Sequence, residues 1–288
     1  MAYPYRPYKK VFTYEEVCEM CRNTDLSKMT QASPVMISHF RPAFTDFFVG
    51  KEFTFHFDHG VTLHYRFTGK HNLKWSEDGE HFLEETYEAL QSTVQKVFLV
   101  HHIRRHTIPY EGLTLIIDTE NQLISWVDLN FGTEDCDKNV RTDFYFGYYG
   151  EDKGTRHHYT EEMCGLILDW KYSDDFVIRH AYITHSLMTS PGEPTDNEEE
   201  YLFRKTLPAT YLKIRDNLCT VTFVEDGGSA AMLLIDLKEL RDVGGFYSMS
   251  ETGQLYCYTI GAVAGRGTFG FTGEYSIGYG PEPGDPSA

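Results

Sequence analysis

The chain has 288 residues, a formal charge of −17, and 41% hydrophobic and 15% aromatic residues, including 20 Tyr and 20 Phe. That acidity leaves no basic stripe to neutralise phosphates, which excludes a nucleic-acid partner from the expectation, and no stretch approaches the ~20 apolar residues of a membrane-spanning helix. The N-terminus has no apolar run behind positive charge and the six cysteines are scattered, so the expected setting is cytoplasmic with reduced thiols.

Residues 1–48 read as an extension. Residues 1–12 are polar and rich in Pro and Tyr. Thr13 or Thr24 is placed to cap a short helix, with Glu15, Glu16 and Glu19 early in the first, as the helix dipole prefers. Cys18 and Cys21 form a CxxC on that helix without a second pair at zinc spacing, so a coincidence of helix face is preferred to a metal or redox site. Residues 31–48, with Pro34 and Pro42, read as an irregular segment that covers the end of a barrel.

A first unit over residues 49–150 opens with a two-stranded segment at 53–75, in which Phe55, Phe57, Leu63 and Tyr65 alternate with His56, Thr62, His64 and Arg66. Period-2 alternation is the mark of a sheet with two different faces. Asp78-Gly79 marks a turn, and strands follow near 93–103, 113–118 and 123–129, with Asn121 and Gln122 as the last reversal. The basic run His101-His102-Ile103-Arg104-Arg105-His106 admits two readings, an anion-greeting barrel rim or a solvated strand end, of which the second is preferred. Residues 132–159 read as a join whose run of rings packs between or across the units.

A second unit over residues 151–288 repeats the pattern. Residues 166–189 copy 53–75 as strand, acidic turn and longer strand, and Leu233-Leu234-Ile235-Asp236 answers Leu115-Ile116-Ile117-Asp118. Two units in the same order argue for duplicated small all-β domains, each a barrel closed on itself. Residues 190–200 read as a mobile loop, strands are expected at 201–207, 210–214, 219–225, 232–237 and 254–264, and the tail after Gly273 is expected to fray. The glycines of 261–270 follow no βαβ pattern and read as a turn-rich strand end rather than a phosphate loop.

The segments Gly50-Lys51-Glu52-Phe53-Thr54-Phe55-His56-Phe57-Asp58-His59-Gly60, Leu234-Ile235-Asp236-Leu237-Lys238-Glu239-Leu240 and Ile260-Gly261-Ala262 resemble the molybdenum cofactor biosynthesis protein F (MoaF) family. The resemblance implies two tandem lipocalin-like (calycin) antiparallel β-barrels with a few short helices. More distantly, Phe55-His56-Phe57-Asp58-His59-Gly60 is similar to the first hairpin of the phenolic acid decarboxylases, single barrels that need no cofactor. That family sets two tyrosines on its first strand to hold a substrate carboxylate. The matching positions here are Phe55 and Phe57 in the first unit and Trp170 and Tyr172 in the second, so the pair is absent from one and halved in the other.

No nucleophile elbow, P-loop, dinucleotide fingerprint or zinc-protease motif occurs, so what remains is titratable groups projecting into a ring-lined barrel. His180 and Tyr182 lie two apart on one strand and share a face, with Tyr172 across the hairpin. The expected roles are His180 as acid or base, Tyr172 and Tyr182 as donors to a developing oxyanion, and Trp170 and Phe176 as shape. In the first unit Tyr65, Trp75, Glu85 and Tyr87 are the candidate binding residues. The leading expectation is an enzyme of lyase, isomerase or cyclase type that acts without a metal or cofactor on a small hydrophobic or aromatic molecule. Its rivals are a non-catalytic lipocalin-like carrier and an accessory protein of molybdenum cofactor assembly. A homodimer is one admissible assembly.

Overall fold

A computed structural model describes residues 13–25, 35–131, 140–191, 204–225, 229–249 and 255–267. The expected loop at 190–200, save its first two residues, and the tail after Gly273 lie outside them. Helix α1 (Tyr14–Asn23) begins at a capping box in which Thr13 and Glu16 each accept the other's backbone N–H. Its buried face carries Val17, Cys18 and Cys21, and helix α2 (Val35–Ser38) is a single turn.

Strands β1 (Glu52–Phe57), β2 (Thr62–Phe67), β3 (Asn72–Ser76), β4 (Leu83–Gln91), β5 (Val97–Arg104), β6 (Glu111–Asp118), β7 (Leu123–Phe131) and β8 (Val140–Tyr148) pair antiparallel in chain order. Strand β8 returns to β1 and closes a barrel through His56↔Tyr148 and Phe57↔Gly147. The segment read as a join thus supplies the eighth staple of the first barrel. Its rings still face both ways, Tyr145 toward the interior beside Trp126 and Phe144 and Phe146 toward the second barrel.

The second sheet runs β10 (Ile167–Ser173), β11 (Phe176–Thr184), β12 (Leu187–Pro191), β13 (Arg204–Arg215), β14 (Leu218–Glu225), β15 (Ser229–Asp236), β16 (Arg241–Met249) and β17 (Leu255–Arg266). Pairing of β17 with β10 and of β12 with β13 closes it, and the short β9 (His158–Tyr159) adds to the far half of β13. Three sequence expectations change here. Strand β13 runs through Pro208, because the β12 ladder ends at Pro208 and β9 takes over only at Leu212; a residue without an N–H fits where a ladder stops. Strand β16 has no counterpart in the sequence reading, and β17 runs two residues past the expected 254–264, taking in Gly265.

Each barrel has its own aromatic core. Phe55, Leu63, Tyr65, Trp75 and Trp126 fill the first, and Trp170, Tyr172, Tyr182, Tyr211 and Phe223 the second. A third apolar cluster lies between the barrels, where the outer walls of β5–β8 (Leu99, Ile116, Val127, Leu129) meet those of β13–β17 (Leu212, Met232, Val243, Tyr247) with Val17 and Cys21 of α1. Phe48 is fully buried against Phe67 and Phe98, so the segment before β1 closes one end of the first barrel.

Candidate functional site

In the second barrel, alternation turns Leu168, Trp170 and Tyr172 of β10 and His180 and Tyr182 of β11 inward, and Leu168↔His180 pairing sets their levels. The indole N–H of Trp170 donates to the Tyr182 oxygen at 3.0 Å. The Tyr172 hydroxyl donates to Asp242 Oδ2 at 3.3 Å, and Oδ1 of the same carboxyl accepts the Ala262 N–H at 2.5 Å. Asp242 is 3% exposed. Burial pushes its pKa up to about 7, against the lowering effect of those two hydrogen bonds. Its recorded partners are thus an amide and a phenol, not a cation. Burial raises the phenols of Tyr172 and Tyr182 well above the usual tyrosine range, and the Asp242 charge adds to it.

His180 is 1% exposed, edge-on to Phe223 at 5.4 Å and to Tyr182 at 6.1 Å, and its Nδ1 has no hydrogen-bond partner. Burial depresses its pKa to about 3, so the imidazole is neutral at physiological pH. It is therefore a weaker proton carrier than its sequence position suggests, and Asp242, which the sequence reading missed, holds the more tunable proton. Phe176 is half-buried at the β10–β11 turn, 6.1 Å from the Tyr172 ring.

In the first barrel the interior faces of β5–β7 end in a polar group. Arg104 Nη2 reaches Glu111 at 2.6 Å and Asp128 at 3.1 Å, Trp126 Nε1 donates to Asp128 Oδ1 at 2.5 Å, and the guanidinium lies 4.9 Å from the Trp126 ring and 5.6 Å from that of Trp75. Burial raises the Asp128 carboxyl to about 6, opposed by Arg104 and Trp126. Of the run read as a solvated strand end, His101 to Arg104 are thus buried along β5, while Arg105 is half-buried and His106 exposed beyond it. His101 and His102 are neutral, driven by burial to about 4 and about 3.

Of the four binding candidates in this barrel, Tyr65 shares a hydrogen bond of 3.0 Å with His102 Nε2, and Trp75 keeps a buried Nε1 with no partner. Glu85 is bound by Arg105 through its backbone N–H and Nε. Tyr87 donates its hydroxyl to Gly69 O, in the β2–β3 turn at the other end of the barrel.

Residues 31–129 match the family model of the MoaF N-terminal domain. Over that stretch the chain is similar to the MoaF family. No curated protein matches the chain. The match covers β1 through most of β7, so β8 completes the first barrel from outside the matched residues and the whole second barrel lies beyond it. Two concavities lie on the outer wall of the first barrel, one beside Glu52, Thr54, His64 and Arg66, the other beside Asn72, Glu84, Thr86 and Arg105. The interiors of both barrels are lined by the rings expected there, Tyr65, Trp75 and Trp126 in the first and Trp170, Tyr172 and Tyr182 in the second. Among the described residues no cluster of three or more His, Cys, Asp or Glu is placed to hold a metal, Cys18, Cys21, Cys164, Cys219 and Cys257 are free, and no helix is long and apolar enough to cross a membrane.

Proposed function

We propose that the second barrel binds a small hydrophobic or aromatic molecule and moves a proton on it, as a lyase, isomerase or cyclase that needs no metal or organic cofactor. The observation that carries this reading is the Asp242–Tyr172 pair, a carboxyl inside an apolar barrel with a phenol and an amide as its partners. A carboxyl near neutral pKa is protonated and deprotonated with comparable ease at working pH, which is what general acid–base chemistry requires. Tyr172 orients the carboxyl. Trp170 occupies a lone pair of the Tyr182 oxygen and leaves that phenol's own proton for a developing oxyanion. Neutral His180, with Nδ1 unpartnered, hydrogen-bonds the ligand, and half-buried Phe176 stands at the entry beside the β10–β11 turn.

The test begins with native mass spectrometry of the purified protein to find a co-purifying small molecule, followed by incubation of that molecule with protein in D2O. Deuterium uptake or turnover is expected with the wild type, with a loss of about a hundredfold or more in Asp242→Asn and affinity kept within a few-fold. Equal loss of binding in the variant, with no uptake in the wild type, is the behaviour of a carrier and contradicts the reading. The accessory role in molybdenum cofactor assembly rests on the MoaF match alone; it would show itself as a pterin in the same spectrum.

A further inference from the structure

The polar end of the first barrel holds three buried side-chain atoms without a hydrogen-bond partner: Trp75 Nε1, Arg104 Nε and Asn130 Oδ1. Trp75 is 2% and Arg104 5% exposed, so neither donor has bulk water in place of a protein acceptor. A buried donor left unsatisfied costs on the order of 1–3 kcal/mol, and native proteins rarely keep several together without a use for them. Two ranks of rings frame these atoms. His59 stacks on Tyr145 at 4.3 Å and Tyr145 lies 4.8 Å from Trp126, while His106 meets Trp75 at 4.9 Å. The Arg104 guanidinium lies over both indoles, its Nη2 already held by Glu111 and Asp128 while Nε remains unused.

We infer that this end of the first barrel is a binding site in its own right, for a neutral planar aromatic molecule with a carbonyl oxygen that takes the Trp75 and Arg104 N–H donors. The rings select a flat, unsaturated body. Charge selects neutrality: Arg104 is already matched by two carboxylates, so an anion entering here meets Glu111 and Asp128 without a spare cation. A hydroxyl on the ligand would meet Asn130 Oδ1, which lies two residues beyond Asp128 on the same face of β7. The site is separate from the proposed acid–base chemistry, which uses the other barrel.

The tryptophans give the test its readout, because there are three in the chain and two of them, Trp75 and Trp126, belong to this site while Trp170 belongs to the other barrel. Protein labelled with nitrogen-15 is titrated with coumarin, with 2-naphthoate and with naphthalene, and the indole N–H signals are assigned from single Trp→Phe variants. Coumarin is expected to shift the Trp75 and Trp126 signals and leave Trp170 in place, binding about tenfold more tightly than either the anion or the hydrocarbon. Trp75→Phe, which keeps a ring but removes the donor, is expected to weaken coumarin about tenfold and leave naphthalene unchanged. Asp242→Asn is expected to leave the coumarin titration as it is, so this site stands or falls apart from the chemistry of the second barrel. A Trp75 signal that does not move at saturating coumarin, or equal affinity for coumarin, 2-naphthoate and naphthalene, overturns the inference; the wild-type titration decides it even where the variant does not fold.

Discussion

At the scale of single residues, the interiors of both barrels are governed by desolvation. Burial alone takes His180 from the ordinary 6.5 to about 3. A group whose folded pKa is depressed in this way takes up a proton first in the unfolded chain. The stability it leaves intact above about pH 6.5 is therefore lost as pH falls from there toward 3, by ~1.4 kcal/mol per pH unit. Phenylalanine in its place removes both that titration and the unpartnered Nδ1. His180→Phe is thus expected to match the wild type at pH 7 within ~1 kcal/mol and to exceed it by roughly 3 kcal/mol at pH 4, read by urea denaturation at the two pH values. A difference independent of pH would mean that the imidazole is not buried neutral. The sequence made His180, Tyr172, Tyr182 and Trp170 legible as neighbours, because alternation fixes which residues share a face. It hid Asp242, since that residue lies on a strand the sequence did not reveal.

At the scale of elements, alternation is visible only where the two faces of a strand differ. Strands β1 and β2 bury one face and leave the other partly open, and β10 sets Asp169 and Lys171 opposite its rings, so all three are legible. Strand β8 is wedged between the interior of its own barrel and the second barrel, so Phe144, Tyr145 and Phe146 read as a continuous apolar run. Strand β16 is masked by Gly244 and Gly245, which packing demands: a Cβ on Gly244 would lie 2.6 Å from Leu233 Cδ2, and one on Gly245 2.5 Å from His101 Nδ1. The run at β5 was misread for a related reason. His101 looks solvated in sequence, yet it faces the second barrel and meets the Cys257 thiol at 3.2 Å. The seam that closes the first barrel is short, two residue pairs between β1 and β8. A Cβ on Gly147 would collide with the His56 carbonyl oxygen across that seam. Gly147→Ala is expected to destabilise by ~1–3 kcal/mol and to expose the β1 amides to hydrogen exchange before those of β4–β6; uniform protection would show that the seam does not limit the barrel.

At the scale of the whole molecule, the two units meet as quasi-equivalent partners. Asp118, the last residue of β6, caps the N–H groups of Glu120 and Asn121 in the turn that follows and is bound by Arg215, the last residue of β13. Asp236, its counterpart at the end of β15, caps Lys238 and Glu239 and accepts the Thr93 hydroxyl at 2.5 Å from the β4–β5 turn. Each barrel thus offers the same aspartate to the same turn of the other. The duplicated Leu-Ile-Asp segment was legible as a repeat; its use as a reciprocal clasp was not, because Arg215 and Thr93 carry no repeat signature. Burial works against the Asp118 charge, and Arg215 and Asn121 overcome it to hold the carboxyl below its usual range. Removing the cation leaves a buried charge uncompensated, a loss of ~3–5 kcal/mol. Arg215→Met is expected to lower stability by about that amount in a single transition shared by both barrels, followed by calorimetry. Two separated transitions would show that the barrels do not fold as one unit.

The proposed chemistry depends on a carboxyl that shares its proton with the interior of the second barrel, and the most direct measurement is the titration of the Asp242 side-chain carbon by carbon-13 NMR. A midpoint near 7 is expected, rising further in Tyr172→Phe, where the hydrogen bond that favours the charged form is gone. A midpoint of about 4, the value of a solvated aspartate, and indifferent to Tyr172, would contradict it.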